Sequence, residues 1–270
     1  MPSVAQIFAR TLKEIGVRYV FGVPSGNMID YMEAIRLEDG IDFVLVGHEA
    51  TAAIMADICG RLTGIPGVCF ATFGPGATNL STGVGGALLD RSPLIAFTDE
   101  MPDYLLNRTV QMNINHQQLF SPITKWTSRL NQNNVNALIL KGANIATEEY
   151  PGSVHIGVPA GIGQQIVGES NNSINYLRIE KESPESQNAE FYKELAHFFS
   201  LAKRPVLAVG LSAVRAGVQN KILQIAEKFQ LPVILTPMAK GMFSEDHPLY
   251  TGVLFHALSD MVAETYKKAD

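Results

Sequence analysis

The feature that most limits what this chain can become is a series of short, unbroken apolar runs, each closed by turn residues and followed by a helical pattern. Tyr19, Val20, Phe21, Gly22 and Val23 run up to Pro24. Similar runs occupy 41–46, 67–73, 93–97 and 154–158, with another short strand expected after Trp126. A strand with one wet face alternates apolar and polar residues, whereas a strand covered on both faces reads as a continuous apolar segment. The intervals carry helical spacing. Val4, Ile7, Phe8, Thr11, Leu12 and Ile15 mark a helix over 4–15, ended by Gly16. Further helices are read at 50–62, at 74–89 and near 134–149. Strand and helix in alternation predict an α/β fold, a parallel sheet with helices on both faces. Such sheets bind ligands beyond the carboxyl ends of their strands. Here those ends carry Pro24-Ser25-Gly26, Gly47-His48-Glu49 and Gly74-Pro75-Gly76.

The pattern changes at 164–188, where Ser, Asn, Glu and Pro without periodicity read as a linker. Beyond it, helices are expected at 191–199, 218–229 and 257–268, and strands at 205–209 and 232–235. Two strands make a poor parallel sheet. The expected organisation is therefore a first domain over 1–163, a linker over 164–188, and a partial, incomplete second α/β domain over 189–270. Residues 100–118 are polar and irregular, as a long functional loop would be.

Composition narrows the partners. Hydrophobic residues make up 46% and charged residues 17% of 270, which suits a packed core rather than disorder. The net charge is −5 and no basic stripe appears, which argues against nucleic acid. No uncharged apolar run reaches the ~18 residues of a membrane span. The start lacks a charged segment leading into an apolar one, so a secretory signal is not expected. Cys59 and Cys69 lie in apolar segments with no CxxC pair, and read as buried thiols in a reducing, cytoplasmic compartment.

Glu49 stands where a strand hands over to a helix. The helix N-terminus favours its charged form, and burial among Val46, Ala52, Ala53 and Met55 favours its neutral form. A carboxylate so placed is a candidate for proton transfer near neutral pH; a helix cap or an ion pair is the plain alternative. The segment from Gly74 to Asn79 is close to a dinucleotide fingerprint, but Asn79 replaces the third glycine, which argues against a nicotinamide site.

Four segments together carry a family resemblance. They are Gly22-Val23-Pro24-Ser25-Gly26; His48-Glu49-Ala50-Thr51-Ala52-Ala53-Ile54-Met55-Ala56-Asp57; Gly74-Pro75-Gly76-Ala77-Thr78-Asn79-Leu80; and Pro122-Ile123-Thr124-Lys125-Trp126. In this order and spacing the chain resembles thiamine-diphosphate-dependent enzymes of the acetolactate synthase and 2-oxo-acid decarboxylase type. The resemblance is strong over about 4–163 and looser over 190–270. It implies that residues 1–163 bind the cofactor's aminopyrimidine. Glu49 would hydrogen-bond a ring nitrogen and favour the imino tautomer, so that the thiazolium carbon can attack a 2-oxo acid such as pyruvate. It further implies that Pro24, Gly26, Thr72, Gly76 and Asn79 line the pyrimidine pocket. Gly76 would allow close approach, or simply make a tight turn. Asn79 would offer its amide, or bond the local backbone.

On the substrate side the resemblance suggests Ser25, His48, Gln111 and Lys125. His48 as a satisfied polar residue, and Lys125 as a solvated side chain with a packed stem, are the plain alternatives. Many relatives carry a Gln-Glu-x-Asp-like element before the Pro-Ile-Thr-Lys segment; here Gln111-Met112-Asn113-Ile114-Asn115 lacks its acids. The family's magnesium and diphosphate site is marked by Gly-Asp-Gly and a later Asn, and neither occurs, so magnesium ligands are not expected in this chain. FAD is compatible with the resemblance. A homodimer, a tetramer or a companion chain bearing the diphosphate domain is implied, and this chain alone, as a fragment or a split-enzyme subunit, is expected to be inactive. The competing reading is a non-catalytic oligomerisation or binding module that retains the fold.

Overall fold

The computed structural model describes residues 1–168 and 189–270. The chain divides into two compact units, Met1–Ile179 and Glu180–Asp270. Most of the expected linker, 169–188, lies outside the described residues. Residues 164–168 lie against the start of the first unit: the Val4 amide donates to the Gln165 carbonyl at 2.9 Å, and the Val167 amide to the Pro2 carbonyl at 3.0 Å.

The first unit is a six-stranded, wholly parallel sheet: β1 (Tyr19–Gly22), β2 (Asp42–Leu45), β3 (Gly67–Ala71), β4 (Leu94–Glu100), β5 (Trp126–Arg129) and β6 (Ser153–Pro159). Its spatial order is β2-β1-β3-β4-β6-β5. Six helices cover it: α1 (Val4–Ile15), α2 (Ile29–Arg36), α3 (Glu49–Thr63), α4 (Pro75–Leu89), α5 (His116–Phe120) and α6 (Val135–Thr147). Ser3 caps α1 with a capping box completed by Gln6, and Gly16 ends it in the left-handed conformation.

Side chains leave a strand alternately on its two faces, and here the faces differ in size. Val68, Phe70, Ile95, Phe97, Val154 and Ile156 form one core with α1, α2 and α6. On the opposite face, Cys69, Ala71 and Ala96 lie under α3 and α4. Along β3, and along β4 from Ile95 to Phe97, the continuous apolar runs thus conceal a period of two in side-chain volume, although Phe21 and Leu94 also lie on the second face. The small face lets α3 and α4 sit close to the sheet and to each other. A methyl group built on Gly83 of α4 would come within 2.5 Å of the Ala53 Cβ of α3. Cys69 is fully buried and Cys59 half-buried; both are free thiols, and burial pushes each up from the ordinary thiol range.

The second unit holds β7 (Leu207–Val209), β8 (Val233–Leu235) and β9 (Tyr250–Val253) in a parallel sheet ordered β7-β8-β9, with α7 (Ala189–Leu201), α8 (Leu211–Ala216), α9 (Gln219–Phe229) and α10 (Asp260–Lys268). The two-strand reading is corrected here. The third strand, β9, is half-buried, contains Gly252 at φ 127°, and pairs across a register irregularity, so it lacks the apolar run that marks the others. Among the described residues no helix is long and apolar enough to cross a membrane.

The close packing of α3 on α4 predicts opposite outcomes for two glycines of one helix. Gly83→Ala should destabilise the fold by about 1–3 kcal/mol through overpacking. Gly86→Ala, which faces open space, should stabilise it by up to about 1 kcal/mol through helix propensity. Urea unfolding of the two variants beside the parent checks this; equal effects would show that the helices can part without cost.

Candidate cofactor-binding site

The sheet order places β1 between β2 and β3. The chain leaves β1 for α2 on one face, and leaves β3 for α4 on the other. The crevice between such diverging connections is where open α/β sheets bind ligands. It is bordered by the 24–26 loop after β1, by the start of α3 after β2, and by the turn 72–76 after β3.

His48 is the N-cap of α3, its backbone extended and its Nδ1 accepting from the Ala50 amide at 3.1 Å. This exposed cap fixes where the helix begins and turns the next side chain, Glu49, inward. Glu49 is 9% exposed, and its Oε2 accepts from Asn79 Nδ2 at 3.0 Å. Asn79 lies in the first turns of α4. Its amide thus reaches across to α3 rather than to its own backbone. The other carboxylate oxygen, Oε1, has no hydrogen-bond partner among the described residues. It faces Gly76, where an added Cβ would lie 3.3 Å from it and 2.7 Å from Thr72 Cγ2. Four of the residues read from the sequence, Glu49, Thr72, Gly76 and Asn79, therefore meet around one carboxylate. The space beside it exists because residue 76 has no side chain.

Pro24 and Gly26 are exposed on the loop after β1. Ser25 donates a short hydrogen bond to Asp99 Oδ2. Asp99 is fully buried, and its Oδ1 has no partner; the Tyr31 hydroxyl, also buried, has none either. Burial raises the Asp99 carboxyl to about 7 against the opposing hydrogen bond from Ser25. Burial, then the nearby Asp99, pushes the Tyr31 phenol up as well. The apolar run predicts a strand ending at residue 97, with Glu100 opening the 100–118 loop and Asp99 in neither. In fact β4 runs on through Glu100, paired with β6 to Pro159.

Gln111 is exposed. Its neighbour Met112, at φ 64°, packs its backbone against Gly74, where a Cβ would lie 2.5 Å from the Met112 carbonyl oxygen. Within the 100–118 loop, Asn113 Nδ2 donates to the carbonyls of Leu105, Leu106 and Arg108, so the position works as an internal staple. Lys125 is not brought to the crevice. It precedes β5, at the amino edge of the sheet, and its Nζ donates to Glu148 Oε2 and to the Tyr150 carbonyl, each at 2.8 Å.

A metal-ligand cluster was not expected. Glu100, His116 and His155 nevertheless offer ligand atoms within 4.8 Å of one another, all buried. Both rings are engaged in hydrogen bonds to protein groups. A hard cation such as magnesium takes oxygen ligands, and this set does not suit it.

Comparison with known proteins adds to this geometry. Residues 2–119 match the family described as "Thiamine pyrophosphate enzyme, N-terminal TPP binding domain", and residues 192–270 match "Thiamine pyrophosphate enzyme, central domain". The acetolactate synthase of Arthrospira platensis is 35% identical over 256 residues, covering 90% of this chain and 43% of the relative. A probable acetolactate synthase large subunit of Methanocaldococcus jannaschii is 33% identical over 253 residues, covering 93% and 43%. The acetolactate synthase isozyme 1 large subunit of Escherichia coli is 32% identical over 251 residues, covering 93% and 44%. The chain spans less than half the length of these curated relatives.

Asp99 gives the site a pH signature. Its folded value, about 7, exceeds its ordinary 3.8. Between those values the folded chain holds a proton that the unfolded chain has released, so Asp99 lowers stability as pH rises from about 4 to about 7, and the loss levels off above that. Asp99→Asn should exceed the parent in stability at pH 8 by on the order of 3 kcal/mol, the advantage shrinking as pH falls toward 4. Urea unfolding at the two pH values checks this; a difference that does not change with pH would contradict it.

Proposed function

This chain belongs to the thiamine pyrophosphate enzyme family, and we propose that its first unit supplies the aminopyrimidine side of an acetolactate-synthase-like active site. The observation that carries the reading is the Glu49 carboxylate: buried, held through Oε2 by Asn79, and free at Oε1 beside Gly76. An acceptor so placed suits a protonated ring nitrogen. Asn79 keeps the carboxylate from rotating, Gly76 leaves the ring room, and Thr72 closes the side toward β3. Pro24 and Gly26 border the same crevice from β1. Ser25, His48 and Gln111 are the residues proposed for the substrate side, where a small 2-oxo acid such as pyruvate would enter.

When bound, thiamine diphosphate supplies an electron sink for breaking the bond to the carboxyl group of such an acid. The protein's share is the proton balance and the exclusion of water around Glu49. The product, by carboligation or simple decarboxylation, is set on that substrate side. The diphosphate and its magnesium would be held by a diphosphate domain that these 270 residues do not supply, carried by another subunit of a homodimer or tetramer of a longer protein or by a companion chain. Synthase-type enzymes hold FAD partly in the central domain, which makes it a second group to test. A cytoplasmic setting suits the free thiols Cys59 and Cys69.

The test is calorimetric titration of thiamine diphosphate with magnesium into the chain, alone and with a polypeptide bearing the diphosphate domain, followed by pyruvate turnover. Binding and turnover are expected in the mixture. Glu49→Gln should lower turnover by about 10²-fold or more. Turnover unchanged by that substitution would favour a non-catalytic module instead.

A further inference from the structure

The buried and half-buried polar groups between α4, α5 and β4–β6 form one connected set, and their hydrogens can be assigned from either end. Gln117 Nε2 faces the Glu100 carboxylate at 2.6 Å and the Ser128 carbonyl at 3.1 Å, both acceptors, so its Oε1 must accept. The Thr127 hydroxyl therefore spends its one proton on Gln117 Oε1, at 2.7 Å. Thr127 Oγ1 must then accept from His155 Nδ1, at 2.7 Å. In a neutral ring that leaves His155 Nε2 bare, to accept from the Thr98 hydroxyl at 2.8 Å. Thr98 in turn accepts from His116 Nδ1, at 2.8 Å. His116 Nε2, bare, accepts from the Gly74 amide at 3.2 Å. Starting instead from Gly74, whose amide can only donate, gives the same assignment throughout.

Nothing in the path is left over or doubled. His155 is fully buried and lies flat against Phe120, with ring centroids 4.1 Å apart. Burial lowers both histidines, His116 to about 4, in keeping with neutral rings. The chain ends on Glu100, which is paired with Arg129. Its donors all point toward that carboxylate, the arrangement in which successive hydrogen bonds strengthen one another. A cation held by Glu100, His116 and His155 would have to break one of these hydrogen bonds at each ring.

We propose that this directed chain, from the Gly74 amide through His116, Thr98, His155, Thr127 and Gln117 to Glu100, positions the glycine turn that opens α4, with His116 as the positioning residue. Gly74 is the N-cap of α4, at φ 64° and ψ −115°, and no side chain caps that helix. The bond to His116 ties down the point from which Gly76 and Asn79 are projected toward Glu49. The consequence for the cofactor rests on the pyrimidine-pocket reading; the chain itself does not.

The experiment is long-range ¹H–¹⁵N NMR of the full chain labelled at histidine nitrogens, at pH 7. Both rings are expected neutral with the proton on Nδ1. An Nε2–H tautomer or an imidazolium at either position overturns the proposal. So does stoichiometric zinc that shifts both rings to metal-bound frequencies. Thr98→Val then cuts the chain midway. The Gly74 amide should exchange about five- to tenfold faster, the worth of one net hydrogen bond, and Thr98→Ser should restore it to within about twofold. Unchanged exchange in Thr98→Val refutes positioning, and if that variant does not fold, the parent's tautomers still decide. Thiamine diphosphate binding is read separately, in the mixture with the polypeptide bearing the diphosphate domain. Correct tautomers without binding support the chain and remove the pocket reading.

Discussion

The closeness of α3 and α4 is the constraint on which the rest of the crevice depends. Both helices start at the carboxyl edge of the sheet, after neighbouring stretches of chain, and lie on the same small-residue face. Ala53 and Gly83 set their separation. With larger residues there, the two N-termini would splay. Glu49 and Asn79 are thirty residues apart in sequence, and their 3.0 Å contact would open. The hydrogen bond between them is a product of backbone approach, and the approach a product of missing side-chain volume.

Elsewhere in the first unit the polar interior is kept nearly free of net charge. Alternation along β4 sends Thr98 and Glu100 to the α4–α5 face and Asp99 to the other, toward Tyr31. Burial pushes the Asp99 carboxyl up and the two histidines down, so at neutral pH each tends to its uncharged form. Burial also raises Glu100, but Gln117 and Arg129 oppose it. A buried carboxylate survives where a guanidinium and an amide answer it.

Much of this fold is legible before any coordinates, because covered strands and amphipathic helices leave opposite periodicities. The polar strand end is not. Asp99 and Glu100 look like the start of a loop, since nothing local reveals that β6 continues to pair with them as far as Pro159. Strand β9 fails for the same reason: its pairing partner, not its own pattern, makes it a strand. Lys125 is a different case. The residue before a parallel strand lies at the amino edge, away from any ligand crevice, and that inference was available from the order of elements alone. The Glu49 cluster is legible only as a combination of motifs. His116 and His155 stand 39 positions apart and carry no pattern that would link them, so the set they join with Thr98 is invisible without the fold.

The unequal faces of the central sheet also shape how such a chain can change over generations. On the side of Val68, Phe70, Ile95 and Phe97, one large side chain can be exchanged for another with local repacking, and lineages can drift there through many near-neutral sequences. On the side of Ala71 and Ala96, there is no smaller residue to retreat to except glycine and little room for a larger one. Variation is thus channelled to one flank of the sheet while the flank beside the crevice is held almost still, with no need for those small residues to touch a ligand.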